Sequence, residues 1–284
     1  MRITGENKIS GYITQSVNAD MFVDFTVEEL FFEDLPINIP MTVSKNDTIQ
    51  SIIPKLAETL DSFSDDLVVL ENNTPVGFIG GYEVLKTIFE NPTFEFIKNT
   101  SIEQYFNKNL TIVDGNTSLE ALIEKYKVNQ RAFSVIIDQS KREDFLVLSA
   151  KNALNAGTKL ESTATLNEIE KKQIIEFSGE ESIKIIINRM FENKVRRLRL
   201  KNSKEFISDR TILTDILRRD YLENDADYLS MASSNIKTIP VEDIPKDTKI
   251  STVCKIIHNT SCPCITSENN VITPWDILNH LLKL

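Results

Sequence analysis

Hydrophobic and polar positions along the chain follow one pattern four times. Each copy has an apolar strand, a helix with apolar residues at i, i+3 and i+4, two further apolar strands and a closing helix. The copies recur roughly every 65 residues. The markers are the apolar pairs Phe78-Ile79, Leu146-Val147, Phe206-Ile207 and Val271-Ile272, each of which ends a strand. Because one such unit cannot enclose a core alone, the pattern predicts that the copies pack in pairs.

This repetition predicts the domain organisation and an α/β (α+β) fold class of four β-α-β-β-α repeats. The expected parts are a leader (1–40), an N-terminal module (41–157, with repeat one at 41–92 and repeat two at 110–157), a linker (158–172) and a C-terminal module (173–284, with repeat three at 173–222 and repeat four at 237–284). The linker is placed where small, polar residues without periodicity follow Gly157. The helical spacing predicts helices over 49–60, 82–89, 118–126, 150–156, 181–193, 211–222, 250–258 and 275–282.

Composition indicates a globular protein with a core of ordinary size. The chain has 284 residues, of which 41% are apolar and 26% charged. No run of 18 apolar residues predicts a transmembrane helix, and the first eight residues lack the apolar centre of a signal peptide. Three cysteines do not form a disulfide framework, so we expect a cytoplasmic protein with no membrane attachment.

Charge narrows the range of partners. A net charge of −10 disfavours general binding to nucleic acid, which depends on Lys and Arg neutralising phosphates. The basic run Lys194–Lys201 keeps attachment to a ribonucleoprotein open as a third interpretation. Glycine is scarce, and the isolated pair Gly80-Gly81 is not followed by the Lys-Ser/Thr of a P-loop.

One junction between strand and helix carries a family resemblance. Repeat four reads Val271-Ile272-Thr273-Pro274-Trp275-Asp276, and its preceding strand reads Cys262-Pro263-Cys264-Ile265-Thr266. An apolar pair, a hydroxyl residue, two further residues and Asp before an apolar helix resemble the CBS domain, whose tandem pair is called a Bateman module. The other repeats depart from the pattern, since Glu83, Asn152 and Thr211 stand where the family has Asp, and Gly80 stands for the hydroxyl residue.

The resemblance implies a nucleotide site. In the family the hydroxyl contacts a phosphate at a helix start, the Asp accepts hydrogen bonds from both ribose hydroxyls, and basic residues before the middle strand complete the phosphate contacts. Carried over, this selects Thr273 and Asp276, with Ser208, Arg196 and Arg197 as phosphate contacts. The weaker equivalents are Thr211, Ser149, Asn152 and Glu83. The alternatives are helix capping by Thr273 and Asp276 and a solvated or salt-bridged strand edge for Arg196, Arg197 and Arg199.

A second cluster admits a metal-binding interpretation. Cys254 and His258 lie one helical turn apart, and Cys262 and Cys264 alternate along the next strand, a set that suits zinc in its ligand types. Burial of the cysteines as small apolar residues is the favoured interpretation, because Cys264 takes the place of a valine in the family's strand. His280 is expected to be structural or exposed to solvent.

The sequence therefore predicts a non-enzymatic regulatory protein that needs no cofactor. It would sense an adenine nucleotide (AMP, ADP, ATP or a related compound) in a cleft between repeats three and four and pass the change to a protein partner or a second copy. The alternative is a scaffold or interaction protein with the same fold and no ligand. That alternative draws on the apolar leader residues Phe22, Phe25, Leu30, Phe31 and Phe32, which would either dock on a partner or cover the first module.

Overall fold

A computed structural model describes residues 8–9, 12–13, 17–18, 25–31, 40–58, 66–137, 145–218, 227–260 and 262–281. The strands are β1 (Lys8–Ile9), β2 (Tyr12–Ile13), β3 (Val17–Asn18), β4 (Thr42–Ser44), β5 (Asp66–Glu71), β6 (Thr74–Gly80), β7 (Thr111–Val113), β8 (Phe133–Ile137), β9 (Phe145–Ser149), β10 (Leu160–Glu161), β11 (Lys172–Gln173), β12 (Glu176–Phe177), β13 (Arg197–Leu200), β14 (Glu205–Ser208), β15 (Ile239–Pro240), β16 (Ile265–Ser267) and β17 (Asn270–Ile272). The helices are α1 (Val27–Phe31), α2 (Ile49–Glu58), α3 (Gly81–Glu90), α4 (Phe94–Asn99), α5 (Leu119–Asn129), α6 (Ala150–Thr158), α7 (Ile183–Glu192), α8 (Asp209–Arg218), α9 (Ile250–His258) and α10 (Pro274–Leu281).

The predicted β-α-β-β-α order is confirmed in the first three repeats. In each, the first strand pairs parallel with the second, and the second pairs antiparallel with the third (β4-β5-β6, β7-β8-β9 and β12-β13-β14). A parallel first pair needs a crossover helix, which explains why a helix always separates those two strands. The mixed α/β fold class is therefore as predicted.

Repeat four differs from the other three repeats in the position of its first strand. The residues predicted to begin it form β15, which pairs with β14 of repeat three. The sheet of repeat four is β11-β17-β16, so its outer strand comes from Lys172–Gln173. Repeat three was expected to begin at residue 173 with one apolar strand, but two short strands, β11 and β12, lie there and belong to different sheets. Each strand joins its sheet through hydrogen bonds to residues distant in the sequence. The local hydrophobic pattern therefore does not predict which sheet it joins.

Local sequence explains the turns and helix starts. Asn72-Asn73 and Glu268-Asn269 have positive φ angles of 50° and 62°, and 49° and 62°. Two such residues in succession match the twist of an antiparallel hairpin, and Asn tolerates this conformation better than most residues. Ser118 begins α5 by accepting a hydrogen bond from the backbone N–H of Ala121 at 3.1 Å.

The described chain divides into two compact units. The first unit contains Met1–Pro40, Asn109–Lys172 and Asp243–Leu284, and the second contains Met41–Lys108 and Gln173–Glu242. The first unit thus combines repeats two and four, and the second combines repeats one and three. The predicted modules, 41–157 and 173–284, each take one repeat from either unit, and that grouping stays a prediction.

Each unit has its own core of buried apolar side chains. In the second unit, α2 packs on α8 and both lie over the strands of repeats one and three. In the first unit, α6 packs on α9 and α10. The segment predicted as a linker is built into that core, since Leu166 and Ile169 are buried. No helix in the described ranges has both the length and the apolar character needed to cross a bilayer.

Part of the predicted leader also belongs to the first unit. Phe25 and Val27 are buried in its core, and the backbone N–H of Val27 donates to the carbonyl oxygen of Thr117 at 2.8 Å. These two residues cover the unit, as one of the two interpretations proposed. Phe22 and Phe32, and the side chains of Leu30 and Phe31, lie outside what the structure describes.

Candidate ligand-binding site

All four repeats build the same hydrogen bond where the last strand meets the closing helix. The backbone N–H of the residue that ends the strand donates to a side-chain oxygen three residues later, inside the first turn of the helix. This bond stabilises the strand-to-helix corner and neutralises one of the free N–H groups there. The pairs are Gly80 to Glu83 at 3.0 Å, Ser149 to Asn152 at 3.0 Å, Ser208 to Thr211 at 2.8 Å and Thr273 to Asp276 at 2.9 Å. The capping role weighed for Thr273 and Asp276 is therefore present.

Asp276, the predicted ribose ligand, is a buried carboxylate with both oxygens engaged. Its side chain is 4% exposed. Oδ2 accepts the hydroxyl of Thr273 at 2.6 Å as well as that residue's N–H, and Oδ1 lies 2.5 Å from Nζ of Lys172. The ammonium compensates a charge that would be costly to bury alone. Sequence reasoning missed Lys172, because it lies in the segment predicted as a linker.

The repeat-two junction, in the same unit, is closed by hydrogen bonds between its own residues. The hydroxyl of Ser149 donates to Oδ1 of Asn152 at 2.5 Å, and both residues are buried. Between them, Lys151 reaches Thr260, just beyond α9, and donates to its carbonyl oxygen at 2.7 Å. This lysine had no predicted role.

The repeat-three junction, in the second unit, brings the predicted phosphate contacts together. Arg197 lies directly opposite Ser208 across the antiparallel pair β13-β14, and its neighbour Arg196 points Nε at Oδ2 of Asp209, 2.6 Å away. Ser208 and Asp209 are buried at the start of α8. Arg196 thus reaches the first residue of α8, and Arg197 and Ser208 are partners in the two strands that precede it, residues that the resemblance implies for a phosphate.

Asp209 is a site residue that sequence reasoning missed, because the family pattern places no function at that position. It touches the repeat-one junction as well as Arg196, since a Cβ atom added to Gly81 would lie 2.8 Å from Oδ2 of Asp209. Glycine at position 81 thus permits the close approach of the starts of α3 and α8. The next residue, Arg210, is also buried, and its Nε and Nη2 donate to the carbonyl oxygen of Leu56 at 3.2 and 2.9 Å.

Ion pairs occupy much of the basic run Lys194–Lys201. Besides the pair of Arg196 with Asp209, Arg199 bonds Oε1 of Glu176 through Nε at 3.0 Å and Nη2 at 2.6 Å. Recognition of nucleic acid phosphates by these two guanidinium groups would require breaking both pairs. The salt-bridged edge that was one alternative for the arginines therefore holds for Arg196 and Arg199.

The five predicted ligand residues are divided between the compact units. Thr273 and Asp276 belong to the first unit, and Arg196, Arg197 and Ser208 belong to the second. The structure brings together the members of each group. The residues predicted to bind ribose and those predicted to bind phosphate therefore form two separate candidate subsites.

The four residues of the alternative zinc interpretation do not form a metal site. Within the described ranges, which include all four residues, no group of three or more His, Cys, Asp or Glu side chains is arranged to hold a metal ion. Cys262 and Cys264 lie with their sulfur atoms 3.6 Å apart, whereas His258 turns Nδ1 toward the carbonyl oxygen of Lys151 at 3.4 Å. His280, expected to be structural or exposed, is buried.

We expect Cys254 to resist alkylation in the folded protein. Burial raises the pKa of its thiol to about 12, and the thiolate is the reactive form. Iodoacetamide at pH 8, followed by mass spectrometry of peptides, should leave Cys254 unmodified until denaturant is added. Modification at the same rate with and without denaturant would contradict this assignment.

Comparison with known proteins identifies solved structures that have a similar architecture. No protein-family model and no curated protein matches the chain. Among solved structures, a protein of Methanocaldococcus jannaschii, described as a proposed archaeal homologue of γ-AMPK, aligns over 87% of this chain and 99% of its own, with 15% identity and a TM-score of 0.72. A conserved protein of Pyrococcus horikoshii aligns over 85% and 95%, with 12% identity and a TM-score of 0.52.

The chain has the CBS fold. The architecture matches that of the Methanocaldococcus jannaschii protein at a TM-score of 0.72, and it is the fold that the resemblance to CBS domains implies. At such identities the likeness concerns the fold alone. The four repeats share their strand-to-helix junctions, and the residues at these junctions are the candidates for ligand binding.

Proposed function

We propose that this protein is a non-enzymatic regulator that senses an adenine nucleotide and passes the resulting change to a partner. The observation that carries the proposal is the repeat-three junction, where Arg197 lies opposite Ser208 and Arg196 lies beside it. A planar guanidinium donates to two phosphate oxygens at once, and the free N–H groups at the start of α8 favour an anion. The description of the archaeal structure as a homologue of γ-AMPK agrees with a nucleotide as ligand.

We infer that the repeat-four junction recognises ribose. The CBS resemblance implies that an aspartate binds the two ribose hydroxyls. Among the four equivalent junction residues, only Asp276 is an aspartate. Such a clasp is charge-assisted and stronger than the bonds that a neutral side chain makes. We propose that the protein binds the nucleotide and does not catalyse a reaction on it. A ligand would act by favouring one arrangement of the chain over another, to the extent of its differential affinity for the two.

The test is thermal unfolding of nucleotide-free protein with adenosine, AMP, ADP, ATP and S-adenosylmethionine. A ligand at one hundred times its Kd adds about 2.7 kcal/mol to the free energy of unfolding, which corresponds to a rise in Tm of roughly 5 °C or more. Asp276→Asn should weaken binding of adenosine, because it removes the charge that clasps ribose. The asparagine can still cap the helix, as Asn152 does in repeat two.

Arg197→Met separates the phosphate subsite from the ribose subsite. It should weaken AMP about tenfold or more, the loss expected for a charge-assisted hydrogen bond, and leave adenosine unchanged. Arg199→Met is the matched control, because it removes the same charge from the same strand but takes it from the pair with Glu176. Equal loss of AMP affinity in both variants would contradict a phosphate contact at Arg197.

A ligand-free scaffold is the second candidate. It is favoured by the hydrogen bonds that already occupy the junction residues, above all the buried pair of Ser149 with Asn152. This function predicts no change in Tm with any of the five compounds and a stoichiometric protein partner in pull-downs with the full chain.

A further inference from the structure

Two consecutive lysines form ion pairs that connect the chain at β11 to repeat four. Lys171 pairs with Glu268 at 2.8 Å, at the turn between β16 and β17. Lys172 begins β11 beside β17 and reaches Asp276 at the start of α10, at 2.5 Å. The two ammonium groups therefore bond to carboxylates that lie just before and just after β17.

The Lys172 pair is asymmetric in its exposure. The lysine side chain is 50% exposed, whereas the Asp276 side chain is 4% exposed. A long, half-solvated side chain can move into water at little cost, because its ammonium regains full hydration. The carboxylate is fixed by Thr273 and does not move with it. Lys172 is thus the mobile partner of the pair.

Lys172 competes with ribose for Asp276. A carboxylate oxygen accepts about two hydrogen bonds, and Oδ2 already accepts two from Thr273, so Oδ1 is the acceptor open to ribose. The ammonium of Lys172 covers Oδ1, the other acceptor. A ribose hydroxyl that approaches Oδ1 must therefore compete with the lysine for this oxygen.

We propose that Lys172 is an autoinhibitory latch on the ribose subsite, an inference that rests on the function proposed above. The latch lowers the affinity for the nucleotide by the free energy of the Lys172–Asp276 pair. Lys172 also lies where the chain passes from a segment of the first unit (Asn109–Lys172) to a segment of the second (Gln173–Glu242). Ligand binding releases the side chain at this crossover.

The test is calorimetric titration of wild type, Lys172→Met and Lys171→Met with adenosine and with AMP. Adenosine has the ribose and no phosphate, so its affinity is independent of the general attraction between lysine and anions. We expect Lys172→Met to bind adenosine about fivefold more tightly than wild type, the factor that matches the upper value for an exposed ion pair. Lys171→Met removes the same charge from the neighbouring position and should leave the affinity unchanged.

The outcomes separate the latch from the proposed function. Tighter binding by Lys172→Met alone supports the latch, and binding seen only in that variant supports it most strongly. Equal or weaker binding by Lys172→Met, when wild type binds, overturns the latch and leaves the nucleotide-sensing function standing. Equal tightening by both lysine variants also overturns it, because charge alone would then explain the change. Binding by none of the three proteins overturns both proposals.

Discussion

Arg210→Met should lower the free energy of unfolding by about 3 kcal/mol, the cost of leaving a buried acceptor without its charged donor. Arg210 is 7% exposed and donates twice to the carbonyl oxygen of Leu56 in the last turn of α2. The last carbonyls of a helix have no partner within the helix, and a cation there also complements its dipole. Urea unfolding followed by circular dichroism measures the loss.

Arg210→Lys is the control for this prediction. In the first unit, Lys151 performs the equivalent task for the carbonyl oxygen of Thr260, beyond the end of α9. A lysine is therefore long enough for the role, and Arg210→Lys should retain more than half of the lost stability. Loss of the same size in both variants would show that packing of the arginine stem, rather than its hydrogen bonds, stabilises the second unit.

Gly77→Ala should destabilise the second unit by about 3 kcal/mol, at the upper end of the cost of overfilling a packed site. A Cβ atom at this position would lie 2.4 Å from the carbonyl oxygen of Asn107 and 2.5 Å from the ring of Phe106. The backbone cannot yield easily, because Phe78 and Asn107 exchange two hydrogen bonds of 2.9 and 2.8 Å. Thermal unfolding should show a clear fall in Tm.

Gly179→Ala is the matched substitution for Gly77→Ala. It lies in the same unit, and its added Cβ would come no nearer than 3.4 Å to Ser234, which is ordinary van der Waals contact. This variant should be neutral or slightly more stable, since alanine restricts the unfolded chain. A Gly77→Ala protein as stable as the Gly179→Ala protein would show that residues 106–107 move aside without cost.

The sequence predicted some of the candidate site residues and missed others. The hydroxyl and acceptor positions of repeats two to four stood out because they follow an apolar strand at a constant spacing, and the structure finds them at equivalent corners. Lys172 and Asp209 were missed. Each acts through a partner that is brought near by packing, and neither belongs to a local pattern of its own. Arg196 was predicted as a phosphate contact, and its pair with Asp209 shows that a ligand would have to compete for it.

The sequence by itself determined the four repeats, the fold class and the cores of most helices. Helix α9 has the predicted bounds, and α3, α6 and α10 begin within one residue of theirs. Apolar periodicity and capping residues act over a few positions, so they can be recognised without knowing the fold. The same holds for the turn at Asn72-Asn73, because asparagine tolerates positive φ.

Only the tertiary structure decided which repeats share a core and which strands leave their own repeat. The first compact unit joins repeats two and four, and the second joins repeats one and three, although all four have nearly the same apolar helix faces. Strands β11 and β15 each join the sheet of another repeat. Choices of this kind depend on how side chains from distant segments fit together, and the hydrophobic pattern of one segment is compatible with several such partners.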